Sequence, residues 1–128
     1  QKSEKQLVTW LSEKPELIPT VRKYIQPADI SDETVRTVLE LVYQQQPVNT
    51  ILDRFREDEE AYEKVAAMFN GNLLPEDVDE REFKRGLEDV IRNVKMSSLN
   101  TKIANETDPR QLSALFQQQS ALQGLHID

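Results

Sequence analysis

The sequence predicts an all-α fold, in which a helical bundle of about six helices is followed by a C-terminal helical hairpin. Glycine, which weakens helices, occurs only three times in 128 residues. The six prolines fall mainly between segments of periodic hydrophobicity and mark their ends. Valine recurs at the 3.6-residue spacing of a helix rather than at the alternating spacing of a strand. We therefore interpret each segment between these breaks as an amphipathic helix.

The first predicted helix runs from Ser3 to about Glu13. Ser3 as N-cap and Gln6 three residues later form a capping box, which satisfies backbone N–H groups at a helix start. The apolar face of this helix contains Leu7, Val8, Trp10 and Leu11.

A second predicted helix follows Pro15. Because proline is tolerated in a first turn, Pro19 places the start of this helix near Ile18. Its apolar side chains are Leu17, Ile18, Val21, Tyr24 and Ile25. A loop around Pro27 separates it from the third helix.

Ser31 is the predicted N-cap of the third helix, with Asp32 and Glu33 in the first turn, where the helix dipole favours acidic residues. The predicted buried side chains are Val35, Val38, Leu39, Val42 and Tyr43. Residues 44–47, three glutamines and a proline, end this helix.

A short fourth helix carries Ile51, Leu52 and Phe55, and Asp58 is the predicted N-cap of a fifth. The fifth helix is expected to bury Ala61, Tyr62, Val65, Met68 and Phe69. The run Asn70-Gly71-Asn72 is the predicted stop of this helix.

Asp79 and Glu82 form a second capping box, which opens a long helix. Its apolar positions are Phe83, Leu87, Val90, Ile91 and Val94. The spacing then slips, so the helix either continues to about Asn105 with a changed face or bends near Met96-Ser97-Ser98.

The last predicted helix begins at Asp108-Pro109, with Asp as N-cap and Pro as the first helical residue. Gly124 is its expected C′ residue.

Charge is distributed unevenly along the chain. Residues 1–95 contain 20 acidic and 14 basic side chains, whereas residues 96–128 contain only three acidic and two basic ones. A hairpin that is poor in charge and bears apolar residues is typical of a protein-binding surface. The simpler alternative is that these apolar residues pack on the bundle or on each other.

Composition excludes several kinds of site. The absence of cysteine excludes a disulfide framework, a thiolate metal site and a cysteine nucleophile. With His126 as the only histidine, histidine-rich metal sites and a Ser-His-Asp triad are almost out of reach. The net charge of -7 disfavours a general nucleic-acid grip. Composition thus disfavours most enzymes and most metal or cofactor sites, and we favour a role in protein interaction.

Several weaker patterns have simple interpretations. The acidic run at residues 57–60 is typical of a helix start. A calcium-loop pattern counted from Asp77 fails at its sixth position, where Glu82 stands in place of glycine. Asn105-Glu106-Thr107 matches a glycosylation acceptor, but no secretion signal accompanies it.

Two further alternatives remain open. A small nucleic-acid-binding helical domain could use Lys84, Arg85, Arg92 and Lys95 on the long helix, although an ion-paired helix face is the default interpretation. A helical hydrolase with carboxylates and a divalent metal is disfavoured because histidine partners are lacking.

No stretch approaches the roughly 18 apolar residues that a membrane span needs, and no basic segment followed by an apolar run marks a signal peptide. We therefore expect a cytoplasmic protein that does not enter a membrane. Since the sequence begins at Gln1 without an initiator Met, we expect it to be a fragment.

The order of the elements carries a family resemblance over nearly the whole chain. The matching segments are Leu7-Val8-Thr9-Trp10-Leu11 with Pro15-Glu16-Leu17, Pro27-Ala28-Asp29-Ile30-Ser31, Val35-Arg36 with Leu39, the acidic-aromatic segment from Phe55 to Phe69, and the long helix from Phe83 to Val94 before a Leu- and Gln-rich hairpin. In this order the sequence resembles the C-terminal helicase-binding domain of bacterial DnaG-type DNA primases. It departs from the family at Ile30, where an aromatic residue is frequent, and in its short final hairpin.

The resemblance implies two parts, a helical bundle at residues 1–95 and a partner-binding hairpin at residues 96–128. In the family, the hairpin docks on the N-terminal collar of the hexameric replicative DnaB-type helicase and so couples primer synthesis to the replication fork. Primer synthesis and zinc binding belong to other primase domains, so the resemblance implies no catalytic site, metal or cofactor in this chain. No direct contact with nucleic acid is expected. The N-terminal domain of the helicase itself, similar in fold, is the closest alternative identity.

The partner-binding candidates lie on the last helix and just after it, where apolar residues at helical spacing could insert into a groove of a partner. They are Leu112, Leu115, Phe116, Gln119, Leu122, Leu125 and Ile127. We expect Leu125 and Ile127 to be exposed unless a partner or the long helix covers them.

Overall fold

Helices make up most of residues 2–70 and 79–127, the parts of the chain that this computed structural model describes. The α-helices are α1 (Lys2–Glu13), α2 (Ile18–Arg22), α3 (Glu33–Tyr43), α4 (Val48–Arg54), α5 (Glu59–Asn70), α6 (Glu80–Asn105) and α7 (Pro109–Leu122). Two 3₁₀ turns, Pro15–Leu17 and Pro27–Asp29, precede α2 and α3. No strand occurs within the two described ranges, so the all-α prediction is confirmed.

Helix α1 lies at the centre of the bundle and packs against α3, α5 and α6. Leu7, Val8 and Leu11 on this helix are completely buried. Burial of each such side chain contributes about 1.5–3 kcal/mol to folding. They join apolar residues from α2 to α6 in one continuous core. The apolar spacing of the sequence correctly predicts the core residues of α1, α3 and α6.

Two predicted N-caps are wrong. Helix α1 begins at Lys2, so Ser3 lies inside it. Helix α3 is capped by Asp32, whose Oδ1 accepts hydrogen bonds from the backbone N–H groups of Thr34 (2.9 Å) and Val35 (3.2 Å). Ser31 is not the cap because its hydroxyl and backbone N–H both donate to the carboxylate of Glu4.

Three other predicted caps are confirmed by hydrogen bonds to backbone N–H groups. Asp58 accepts from Ala61 at 3.1 Å, Asp79 from Glu82 at 2.8 Å and Asp108 from Arg110 at 2.9 Å. An aspartate before an apolar-periodic segment was therefore a better guide to helix starts in this chain than serine.

Helices α2 and α5 differ from their predictions in extent and burial. α2 starts at Ile18, as predicted, but it ends at Arg22, and Ile25 is buried from the loop that follows. On α5 only Val65 and Met68 are buried, and Tyr62 is an exposed aromatic. Ala61 and Phe69 are partly buried, and Phe69 packs against the core, so Tyr62 is the one predicted side chain of α5 that is exposed.

Some sequence features lie outside the described residues. The predicted helix stop at Asn70-Gly71-Asn72 falls there from Gly71 onward, and so does the start of the calcium-loop pattern at Asp77. Gly124 is the C′ residue of α7, as predicted, but its φ is not positive.

Candidate protein-interaction surface

Helix α6 runs without interruption through Met96-Ser97-Ser98, so the continuous alternative is the correct one. Its second half and α7 form the predicted hairpin, and the turn between them lies at residues 106–108. Because α6 also packs on α1, one helix belongs to both the bundle and the hairpin.

A cluster of polar contacts around Asp29 holds α6 near Ser98, where the sequence allowed a bend. The side chain of Asp29 is 3% exposed and lies in the 3₁₀ turn before α3. It accepts hydrogen bonds from the Ser98 hydroxyl at 2.8 Å and from Lys95 Nζ at 3.1 Å, and Lys102 Nζ is 3.9 Å away. These contacts tie the bundle to the start of the hairpin, and no sequence motif indicates them.

Burial opposes the ionisation of Asp29, but its hydrogen bonds outweigh this effect. The donors are the backbone N–H of Gln26, the Ser98 hydroxyl and the Lys95 ammonium, whose charge also favours the carboxylate. Together they hold the pKa of the Asp29 carboxyl below its usual value. The Asp29 carboxylate therefore stays ionised at neutral pH.

The hairpin has a small interior of its own. Leu99 of α6 is completely buried and Leu122 of α7 is 8% exposed, and neither belongs to the continuous core of the bundle. Near the middle of the hairpin, Gln119 Nε2 donates to Asn100 Oδ1 at 2.5 Å. The hairpin is thus held together by a few apolar contacts, by this hydrogen bond and by a second one from Arg92 Nε of α6 to the carbonyl oxygen of Leu122 of α7 at 3.0 Å.

The predicted anchor residues of α7 fall into two groups. Leu112, Leu115, Gln119 and Leu122 are half-buried or buried, and they recur at the three- and four-residue spacing of a helix-packing seam. Gln119 and Leu122 therefore make contacts within the chain. The apolar pattern alone cannot distinguish such a packed seam from an exposed apolar stripe.

Phe116 is the exception among the α7 candidates. It is 52% exposed in the middle of a folded helix, next to the packed seam. Helix α7 carries one charged side chain, Arg110, in its 14 residues. We call Phe116 and its half-buried neighbours Leu112 and Leu115 the α7 face. A partly exposed aromatic on a surface poor in charge can be covered by a partner at little cost in charge desolvation.

The two candidates beyond α7 are covered by the chain itself. Ile127 is 4% exposed and is part of the bundle core, and Leu125 packs against that core. Both residues are therefore covered without a partner. Helix α6 lies beside them, since Glu88 Oε1 accepts the backbone N–H of Ile127 at 3.1 Å.

Of the four basic residues proposed for a nucleic-acid contact on α6, two are exposed and two are bonded within the chain. Lys84 and Arg85 are exposed. Arg92 donates to the backbone carbonyl oxygens of Leu122 and Leu125, and Lys95 donates to Asp29. Two of the four side chains that would hold a nucleic acid are thus already engaged within the fold.

Within residues 2–70 and 79–127, no three acidic or histidine side chains form a group that could hold a metal ion. In the acidic run, Asp58 caps α5, as the sequence indicates. The side chain of His126 is 80% exposed, with Nδ1 3.8 Å from Glu88 Oε2. Over the same residues, none of the helices is both long enough and apolar enough to cross a membrane.

Comparisons with known proteins leave the family open. The chain matches no protein-family model, no curated protein and no solved structure.

Proposed function

We propose that this chain is a non-catalytic interaction domain of a bacterial DNA primase, which binds the N-terminal collar of the hexameric DnaB-type helicase. The observation that supports this proposal most directly is Phe116, a half-exposed aromatic on a helix with a single charge. The helicase is proposed as the partner because of the resemblance in the order of the elements, and the α7 face is proposed as the surface that contacts it.

The role of each part follows from its charge. The bundle is acidic and highly charged, which favours solubility, whereas the hairpin is nearly neutral. A partner groove that accepts Phe116 would also cover the exposed parts of Leu112 and Leu115. Aromatic anchors at the centre of an interface cost about 2 kcal/mol or more when they are truncated.

Binding can be measured by titrating the full hexameric helicase into the domain in a calorimeter, with co-elution from a sizing column as a second readout. We expect Phe116→Asp to weaken binding at least about 30-fold, because it removes the anchor and brings a charge to a desolvated contact. Since Phe116 is half exposed, the substitution should leave the circular dichroism spectrum unchanged.

Tyr62→Asp is the matched control, because Tyr62 is also an exposed aromatic on a helix, but it lies on the bundle. It should bind like the unmodified domain. A domain that does not bind the helicase at all contradicts the proposed partner. Equal binding by the Phe116→Asp variant contradicts the α7 face as the contact.

A further inference from the structure

The segment that follows α7 is held on the bundle by several hydrogen bonds and one buried side chain. We call residues 123–127 the strap. Its last described residue, Ile127, is buried in the bundle core, and its path back to the bundle runs beside α6. A short segment outside any helix is thus the second connection between α7 and the bundle, after the turn at residues 106–108.

Arg92 makes the first set of strap contacts. Its Nε donates to the carbonyl oxygen of Leu122 at 3.0 Å, and its Nη2 donates to that of Leu125 at 3.2 Å. The last carbonyl groups of a helix have no partner within the helix, and a cation is favourable at that end. Arg92 therefore satisfies the end of α7 and the middle of the strap together.

Glu88 and Tyr24 make the second set. Glu88 Oε1 accepts the backbone N–H of Ile127 at 3.1 Å, and the Tyr24 hydroxyl donates to the carbonyl oxygen of His126 at 3.4 Å. The Ile127 side chain fills the core between these contacts. Polar and apolar contacts thus fix the strap at the same place.

Helix α7 packs along α6, but it buries little of its own surface. An isolated helix shorter than about 12–15 residues is marginal in water, and α7 has 14 residues. Leu122 is its only buried residue. The strap begins directly after that residue, so the best-packed part of α7 is also the part that Arg92 and the strap hold.

We propose that the strap is a latch that keeps α7 folded on α6, with Arg92 and Glu88 as its positioning residues. When the latch opens, α7 unfolds as a local unit while the bundle stays folded. This inference concerns whether α7 is folded or locally unfolded, and it does not depend on which partner the domain binds.

The latch can be tested by amide hydrogen exchange of the unmodified domain and its variants, with peptides from α7 compared with peptides from α1 and α3. For Arg92→Met we expect exchange in α7 to be about 10- to 100-fold faster, the range for hydrogen bonds to charged groups. Exchange in α1 and α3 should change by less than about twofold. Arg85→Met is the control, since Arg85 is on the same helix and makes no hydrogen bond or ion pair to the described residues.

Glu88 offers a conservative pair. Glu88→Gln keeps an oxygen that can accept the Ile127 N–H and should retain slow exchange in α7, whereas Glu88→Ala should accelerate it. Unchanged exchange of α7 in both Arg92→Met and Glu88→Ala overturns the latch. Equal acceleration of α7, α1 and α3 also overturns it, because the strap would then be an ordinary part of the bundle's global stability.

Discussion

Two buried carboxylates, those of Glu4 and Asp29, determine how the loop before α3 is held. The Glu4 side chain on α1 accepts the hydroxyl and backbone N–H of Ser31, and Asp29 accepts Ser98 and Lys95 of α6. Both residues are less than 10% exposed, yet each is surrounded by donors. Sequence patterns could not identify them, because a buried acid has no periodic signature and its partners lie 27 to 69 residues away.

The Asp29 cluster makes a prediction about stability. Asp29→Asn places an amide opposite Lys95 and the Gln26 N–H, and so it replaces charge-assisted hydrogen bonds with weaker or opposed contacts. We expect a loss of about 2 kcal/mol in the free energy of unfolding at neutral pH. Urea unfolding followed by the fluorescence of Trp10, the only tryptophan and a buried one, measures this loss.

The same difference should depend on pH. Because the folded pKa of Asp29 is lowered, its contribution is present above the ordinary carboxyl pKa and is lost as pH falls through the folded value. The gap between the unmodified protein and Asp29→Asn should therefore shrink below about pH 4. A gap that stays constant down to about pH 2 contradicts the ion-paired state of Asp29.

Asp53→Asn is the matched control for this experiment. Asp53 pairs with Arg56 at 2.8 Å, but the two side chains are 58% and 73% exposed. An exposed pair of this kind contributes about 0–1 kcal/mol. Asp53→Asn should thus change stability much less than Asp29→Asn.

At the scale of elements, the end of α3 shows both what the sequence predicts and what it misses. Residues 44–47 end this helix, as predicted. The backbone N–H of Gln46 donates to the carbonyl oxygen of Leu41 and that of Gln45 to Val42, which is a Schellman motif. Gln45 has a φ of 58°, the left-handed conformation that glycine usually supplies. The sequence gives no glycine here, so the motif could not be foreseen.

Gln45→Gly should therefore stabilise the protein by about 1 kcal/mol, because glycine adopts this conformation without the steric cost of a Cβ. Thermal and urea unfolding both report the change. The adjacent Gln44→Gly is the control, since Gln44 has a φ of -83° and glycine gains nothing there. If Gln45→Gly proves as destabilising as Gln44→Gly, the left-handed end of α3 is wrong.

The helices of the hairpin were predictable, but the use of their faces was not. Asp108-Pro109 correctly predicts the start of α7. The sequence was compatible with either a continuous or a bent α6, and the helix is continuous. The apolar positions of α7, however, could serve a partner or a seam against α6 equally well. Only their burial in the structure separates Phe116 from Leu122.

At the scale of the whole molecule, charge and packing give the bundle and the hairpin different characters. The bundle has a continuous core and nearly all of the net negative charge, whereas the hairpin has a small interior and few charges. The fold class follows from composition and periodicity, since these are properties of the entire chain. The strap does not, because Leu125 and Ile127 lie beyond the last helical pattern. Only the three-dimensional path of the chain brings Ile127 into the core and Leu125 against it.

The proposed contact with the helicase lies on the α7 face and not on the bundle. It is tested most directly by NMR spectra of the isotopically labelled domain during titration with the N-terminal collar of the helicase. We predict that signals of α7 around Phe116, and of the facing part of α6 beyond Ser98, shift or broaden most, while those of α3, α4 and α5 stay in place. Unchanged spectra at saturating collar, or changes confined to α3, α4 and α5, would contradict the account.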